Sequence, residues 1–90
     1  MWRLNPRSSL HYRNWGNEWA VFDIGSGQTH EMDTMSAVAL MYCENGWITF
    51  PQIVAGVATD LDLSPDILTD SLQIALEQFE SIGLLDYIPQ

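Results

Sequence analysis

The stretch that decides the fold is "WAVFDIGSGQTHEM", Trp19 to Met32. It contains two runs of residues with high β-propensity, "WAVFDI" and "QTHEM", which are separated by "GSG". Two such runs around a short glycine-containing loop predict a β-hairpin, whose glycines supply the positive φ angles of the turn. A phosphate-binding glycine loop instead leads into a helix and continues with a further glycine and a lysine. The sequence has neither feature here, so "GSG" is predicted to be a turn.

Three helices are predicted after the hairpin, because each has an N-cap residue followed by apolar residues at helical spacing. The N-caps are Asp33, Thr49 and Ser64, and Thr49 forms a capping box with Gln52. Pro65 occupies the first turn of the third helix. The apolar stripes expected to be buried are Met35, Val38, Ala39 and Tyr42; Ile53, Val54, Val57, Ala58 and Leu61; and Leu68, Leu72, Ala75, Leu76, Phe79 and Ile82.

The order of these elements indicates the fold class. "SLHYRNW", Ser9 to Trp15, allows a short half-buried strand before the hairpin, and "LLDYI", Leu84 to Ile88, allows a short extended segment at the end. Three strands followed by three helices predict an α+β fold, with a three-stranded antiparallel sheet packed on a three-helix, winged-helix-like bundle. No linker or repeat divides the chain, so residues 1–90 are expected to form one domain.

The charge argues against nucleic acid as a partner. The chain has no lysine, and its three arginines are Arg3, Arg7 and Arg13. All twelve acidic residues lie in residues 14–90, which therefore carry a formal charge of −12. A winged-helix DNA-binding protein needs Lys or Arg on its recognition helix, and the third helix has none. The acidity indicates a peptide or protein partner with basic or apolar character, or serves only to keep a small domain soluble.

The candidates for a metal or cofactor site are weak. Residues 60–66 ("DLDLSPD") place oxygen-bearing side chains at alternate positions, as in a calcium loop. However, Pro65 and Ser71 stand where that loop needs glycine and a bidentate glutamate. His11 and His30 are the only imidazoles and lie on separate strands, without metal-ligand spacing. No metal or cofactor is expected.

Catalysis and membrane association are not expected either. Ser26, His30 and Asp23 can be drawn as a catalytic triad, but a hairpin tip has nothing to exclude water. No stretch approaches 18 consecutive apolar residues, and no secretory signal is visible. The single cysteine, Cys43, lies in an apolar run and is expected to be a buried thiol in a reducing compartment. The sequence predicts a non-enzymatic cytoplasmic protein.

The third helix has apolar residues outside its predicted core face. At 100° per residue, Ile67 and Ile74 fall off the core sector, one above the other. Polar and acidic residues flank them: Asp70, Ser71, Glu77 and Gln78. This pattern indicates a second contact surface, or else packing of the two isoleucines under the sheet or a chain terminus.

Taken together, these segments resemble the PqqD-like family, small domains that recognise precursor peptides of ribosomally made, modified natural products. The resemblance covers Leu10 to Asp86 and lies in "AVFDI", "GSGQTHEM", "SAVALMYCENG", "TFPQIVAGVA" and "LTDSLQIALEQFESIGLL". "EWAVFDIGSGQTH" is most similar to the subgroup called HPr-related, "A" system peptide chaperones. The resemblance implies that a leader peptide adds as a further strand to the third strand, beside the third helix, and is handed to a modifying enzyme.

The resemblance also implies which residues bind the peptide. The docking edge would be Gln28, Thr29, His30, Glu31 and Met32, and the opposing wall would be Ile67, Asp70, Ser71, Ile74, Glu77 and Gln78. The alternative is an acidic protein–protein adaptor that binds and regulates a partner enzyme directly. Since an exposed strand edge can also pair with a second copy, the sequence is compatible with a monomer or a homodimer.

Overall fold

A computed structural model describes residues 1–89 of the chain. Within them lie the strands β1 (Trp2–Leu4), β2 (Leu10–Trp15), β3 (Glu18–Asp23), β4 (Gln28–Asp33) and β5 (Leu85–Tyr87). The helices are α1 (Thr34–Cys43), α2 (Phe50–Leu61) and α3 (Pro65–Ser81). The chain has an α+β fold, as expected from the order of its elements.

The predicted three-stranded sheet is confirmed and has the antiparallel order β2-β3-β4. Val21, which is fully buried, pairs with Tyr12 on one side and His30 on the other. Because side chains alternate between the faces of a strand, these three point toward the helices. The third predicted strand is therefore β4, one of the two edge strands of this sheet.

A second, two-stranded sheet was not expected. In it β1 pairs antiparallel with β5, so that Trp2 lies opposite Tyr87. Trp2 is buried and also bridges to Ile48 before α2. The extended segment expected near the C-terminus is β5, but its partner was missed because a three-residue strand such as "WRL" has too few residues to show a period.

The helices begin where their capping residues predict. The Asp33 side chain accepts a hydrogen bond from the Ser36 N–H, and Thr49 and Gln52 form both bonds of a capping box. Ser64 is the N-cap of α3, but its side chain makes no capping hydrogen bond. Capping is local in sequence, which is why these boundaries are readable from it.

The buried faces of α2 and α3 agree with the sequence except at two places. The expected stripes of α2 and α3 are buried apart from Leu61, which is half-buried, and Ile82, which is 54% exposed. Ile82 is the C-cap of α3, just before the left-handed turn at Gly83, so it lies at the very end of the helix. The prediction for α1 was wrong for three of its four residues, since only Ala39 is buried and Met35, Val38 and Tyr42 are half-buried. Helix α1 packs against α2, α3 and the sheet, and therefore buries more than one face: Ser36, Ala37, Ala39, Leu40 and Cys43.

Cys43 is fully buried, as expected of a lone cysteine in an apolar run. Burial, with a smaller effect from the neighbouring Glu44, raises the pKa of its thiol to about 12. Because the thiolate is the reactive form, this cysteine is unreactive at neutral pH.

The two glycines of "GSG" have different roles. Gly27 has a φ of 77°, the positive value that the turn was expected to need. Gly25 has no such φ, but a Cβ at this position would collide with the main-chain carbonyl of Arg7. The hairpin loop therefore packs directly against the loop between β1 and β2.

Asp23 holds this contact together. Its buried carboxylate accepts hydrogen bonds from the Ser9 and Gly25 N–H groups, both at 3.0 Å, and from the hydroxyls of Ser26 and Ser8 at 3.0 and 3.2 Å. Desolvation alone would raise the pKa of Asp23, but these donors outweigh it and lower the pKa below its ordinary value of 3.8. The charged carboxylate is thus the form that stabilises the hairpin.

Replacing Gly25 by Ala should destabilise the domain by about 1–3 kcal/mol, the usual cost of forcing extra atoms into a packed region. Chemical denaturation followed by circular dichroism measures this loss. Ile24→Ala is the matched control, because its side chain is exposed in the same loop. Equal stability of the Gly25→Ala variant and the wild type would contradict the close contact with Arg7.

Replacing Asp23 by Ala should lower the free energy of unfolding by about 1–3 kcal/mol at neutral pH, because buried N–H groups lose their acceptor. The folded-state pKa is lowered, so the stabilisation by charged Asp23 is complete above the ordinary pKa of 3.8 and is lost as the pH falls through the folded pKa. The difference in free energy of unfolding between the wild type and the variant should therefore become smaller in acid. Glu80→Gln, at an exposed carboxylate, is the control. A difference in free energy of unfolding that does not change with pH would contradict stabilisation by the charged form of Asp23.

Candidate functional site

Strand β4 presents an open edge. It pairs with β3 on one side, and within residues 1–89 no strand pairs with its other side. An open edge leaves alternate main-chain N–H and C=O groups free to pair with another chain. Such an edge is the main feature from which a binding site can be built here.

The hydrogen-bond pattern identifies the free groups. The Ile24 N–H donates to the Ser9 carbonyl at 2.9 Å, which extends the β2–β3 ladder by one pair. Since hydrogen-bonded and non-hydrogen-bonded pairs alternate in an antiparallel sheet, Phe22 and Ala20 direct their main-chain groups toward β2. Their partners on β4, Thr29 and Glu31, consequently direct their own main-chain groups toward the open edge.

Side chains of β4 alternate between two surfaces. Thr29 and Glu31 are exposed on the outer face of the sheet, whereas His30 and Met32 are half-buried on the face toward the helices. The His30 Nε2 atom is buried without a hydrogen-bond partner within residues 1–89. An unpaired buried polar atom costs about 1–3 kcal/mol. The Nε2 atom of His30 is thus a buried polar atom on the open strand that no hydrogen bond within residues 1–89 satisfies.

Helix α3 carries an exposed apolar stripe. Ile67 is 67% exposed and Ile74 is 58% exposed, so neither packs under the sheet or a terminus. Ile82, which was wrongly assigned to the core, lies within about 80° of both when residues are placed at 100° per step. We refer to Ile67, Ile74 and Ile82 as the isoleucine stripe. Sequence periodicity missed its third member because Ile82 also borders the core sector.

Polar and acidic residues surround the middle of the isoleucine stripe. Residues three and four positions apart are neighbours on a helix surface. The neighbours of Ile74 are therefore Asp70, Ser71, Glu77 and Gln78, and all four are exposed. Glu77 also accepts a hydrogen bond from the Gln73 amide at 3.2 Å.

The strand and the helix come together at the hairpin end. Gln28, the first residue of β4, lines a surface cavity of about 210 Å³ together with Arg7 and Ile82. Ile67 lies fifteen residues before Ile82, or about 22 Å along the helix axis, at the far end of α3. No hydrogen bond or ion pair in the described part of the chain joins β4 to α3. The structure therefore brings Gln28 to the end of the isoleucine stripe but does not bring Ile67 or Asp70 against the strand.

A second pocket lies at the other end of β4 and was not expected. It has a volume of about 360 Å³, and its lining includes Trp15, Trp19, Glu31 and Met32. Trp15 is 58% exposed, and the Trp19 indole donates a hydrogen bond to the Thr34 hydroxyl at 3.0 Å. Trp19 and Met32, which both line this pocket, are cross-strand partners, and such a register is not readable from the individual strands.

Ser26 and Asp23, two of the residues that could be drawn as a catalytic triad, are hydrogen-bonded to each other in the hairpin. The Ser26 hydroxyl donates to Asp23 and accepts a hydrogen bond from the Gln28 N–H at 3.3 Å.

Within residues 1–89, no group of three or more His, Cys, Asp or Glu side chains is placed to hold a metal ion. None of the helices in that part of the chain is long and apolar enough to cross a membrane.

The fold is similar to that of a protein of known structure. No protein-family model matches the chain, and no curated protein matches it. A solved structure described as "TbiB1 in Complex with the TbiA(beta) Leader Peptide" matches 98% of this chain and 99% of that one, with a TM-score of 0.68 and 12% sequence identity. The chain therefore shares its α+β fold with TbiB1, a protein whose structure was solved with a leader peptide.

Proposed function

We propose that this chain is a non-catalytic domain that binds a precursor (leader) peptide by strand addition at β4, beside α3, and presents it to a modifying enzyme. The observation that carries the proposal is the open edge of β4, where the main-chain groups of Thr29 and Glu31 lack a partner strand. The shared fold with TbiB1, which was solved with a leader peptide, supports it. The sequence resemblance to PqqD-like domains supports the same function.

In strand addition, main-chain groups of the domain give affinity and its side chains give specificity. Thr29 and Glu31 each provide one N–H and one C=O for hydrogen bonds to an extended peptide, whatever its sequence. Specificity would come from the side chains of His30 and Met32 on the edge strand and from the isoleucine stripe on α3. Because ordering a flexible peptide costs free energy, the main-chain bonds alone would give weak binding, and apolar contacts are needed as well.

An acidic adaptor that binds a partner enzyme directly is the second candidate. The observation in its favour is the outer face of the β2-β3-β4 sheet, where Trp15 and Phe22 are 58% and 42% exposed. This surface is on the opposite side of the sheet from the helices. A titration followed by amide NMR therefore separates the two functions by the location of the perturbed residues.

The titration would use the labelled domain and fifteen-residue synthetic peptides that tile the short open reading frames beside its gene. Leader recognition predicts chemical-shift changes along residues 28–32 and at the isoleucine stripe. Changes at Trp15 and Phe22 with the purified neighbouring enzyme, and none with any peptide, would support the adaptor instead. Broadening of residues 28–32 with protein concentration alone would indicate pairing of two copies at the same edge.

Replacing Glu31 by Pro should prevent strand addition without unfolding the sheet. Proline removes a main-chain N–H that points to the open edge and is not used by β3, which is where edge strands tolerate proline. Peptide affinity should fall at least about tenfold, as expected when a hydrogen bond is lost and the strand is blocked sterically. Glu31→Ala is the matched control, because it removes the same side chain but keeps the N–H. Equal affinity of both variants, measured by fluorescence anisotropy, would contradict strand addition at this edge.

Replacing Ile74 by Glu should abolish or strongly weaken peptide binding while the fold is retained. Burial of an isoleucine side chain is worth about 1.5–3 kcal/mol, so losing this contact costs about tenfold or more in affinity. Ile88→Glu is the control, since it makes the same change at an exposed isoleucine next to β5. Circular dichroism checks folding. Unchanged affinity of a folded Ile74→Glu variant would remove α3 from the site.

A further inference from the structure

All the charged side chains that α3 itself places around the isoleucine stripe are acidic. Helix α3 carries Asp66, Asp70, Glu77 and Glu80, and it contains no lysine or arginine. Asp70 lies between Ile67 and Ile74, and Glu77 lies one turn beyond Ile74. A ligand that covers these isoleucines must therefore pass close to at least two carboxylates.

The three arginines of the chain do not neutralise these carboxylates. Arg3 pairs with Asp86 at 3.2 Å and stacks on the Trp47 ring, with 4.5 Å between the guanidinium carbon and the ring centroid. Arg13 lies on β2 opposite Ala20, and Arg7 lines the cavity at the hairpin end. Within residues 1–89 no cationic side chain pairs with Asp70 or Glu77.

On the basis of the proposed function, we propose that the leader segment bound beside α3 is a cationic amphipathic strand. Its apolar side chains cover Ile74 and the neighbouring part of the isoleucine stripe, and its lysine or arginine side chains meet Asp70 and Glu77. The charge of the domain thereby selects among peptides that could all pair equally well with the main chain of β4. An acidic peptide would be rejected by repulsion from the same two carboxylates.

The distance between the Asp70 and Glu77 positions along α3 determines the spacing expected between the basic residues of the peptide. Asp70 and Glu77 are seven residues apart, which is about 10.5 Å along a helix. An extended chain advances about 3.3 Å per residue and alternates its side chains between two faces, so basic residues four positions apart lie on one face, about 13 Å apart, and can reach both. Lysine and arginine side chains are long and flexible enough to accommodate the difference between these spacings.

The test uses three synthetic nine-residue peptides that consist otherwise of valine and threonine. They carry lysine, glutamine or glutamate at their third and seventh positions, which share one face of an extended peptide, and binding is followed through the amide shifts of Thr29 and Glu31. An exposed ionic contact is worth about 0.2–1 kcal/mol, so two of them should favour the lysine peptide over the glutamine peptide by about two- to thirtyfold. The glutamate peptide should bind most weakly. Added sodium chloride should reduce the lysine preference, because salt screens exposed charges.

The variant Asp70→Asn/Glu77→Gln should lose the preference for lysine and keep the affinity for the glutamine peptide. Glu18→Gln/Asp62→Asn is the control, since it makes the same change in net charge away from the isoleucine stripe and should retain the preference. Equal binding of the lysine and glutamine peptides at β4, or a preference retained in the α3 variant, would overturn the inference and leave strand addition intact. Failure of all three peptides to shift the Thr29 and Glu31 amides would contradict strand addition itself, and this inference with it.

Discussion

The buried carboxylate of Asp23 is the interaction on which the candidate site depends. It joins the tip of the β3–β4 hairpin to the loop before β2 through the N–H groups of Gly25 and Ser9. Asp23 also pairs across the sheet with Gln28, the first residue of the open strand. A two-stranded hairpin is only marginally stable alone. This connection and the pairing of β3 with β2 therefore hold the β3–β4 hairpin, and with it β4, in place. The same contact brings the hairpin to the C-terminal end of α3, where Gln28 and Ile82 share a cavity.

An open strand edge can pair with other copies of a protein and cause aggregation. Two features of β4 reduce this risk while leaving the edge open. The strand has six residues and carries charged side chains, among them Glu31 beside the free main-chain groups. Like charges on two copies would repel when such edges approach each other, which disfavours self-association. A basic peptide would not meet this repulsion. Protection of the edge by the acidity of residues 14–90 is thus compatible with the proposed selection of a basic ligand.

Local features of the fold were predictable and non-local ones were not. The hairpin, the capping residues Asp33 and Thr49, and the buried stripe of α2 depend on residues a few positions apart, so periodicity and turn chemistry show them. The β1–β5 sheet joins Trp2 to Tyr87, and two three-residue strands carry no pattern of their own. The exposure of Ile82 was missed because helical phase alone does not show how much of a helix end the neighbouring elements cover. The peptide-binding roles of residues 28–32 and of the isoleucine stripe are proposals.

The sequence by itself determined the class of the fold, the turn at "GSG", the starts of the helices and the separation of charge between the first thirteen residues and the rest. Only the tertiary structure decided that β4 is an edge strand, that Thr29 and Glu31 have free main-chain groups, and that Gln28 lies beside Ile82. The physical reason is the range of the interactions. Propensity, capping and charge belong to residues and their near neighbours, whereas an edge or a cavity exists only when distant segments pack together.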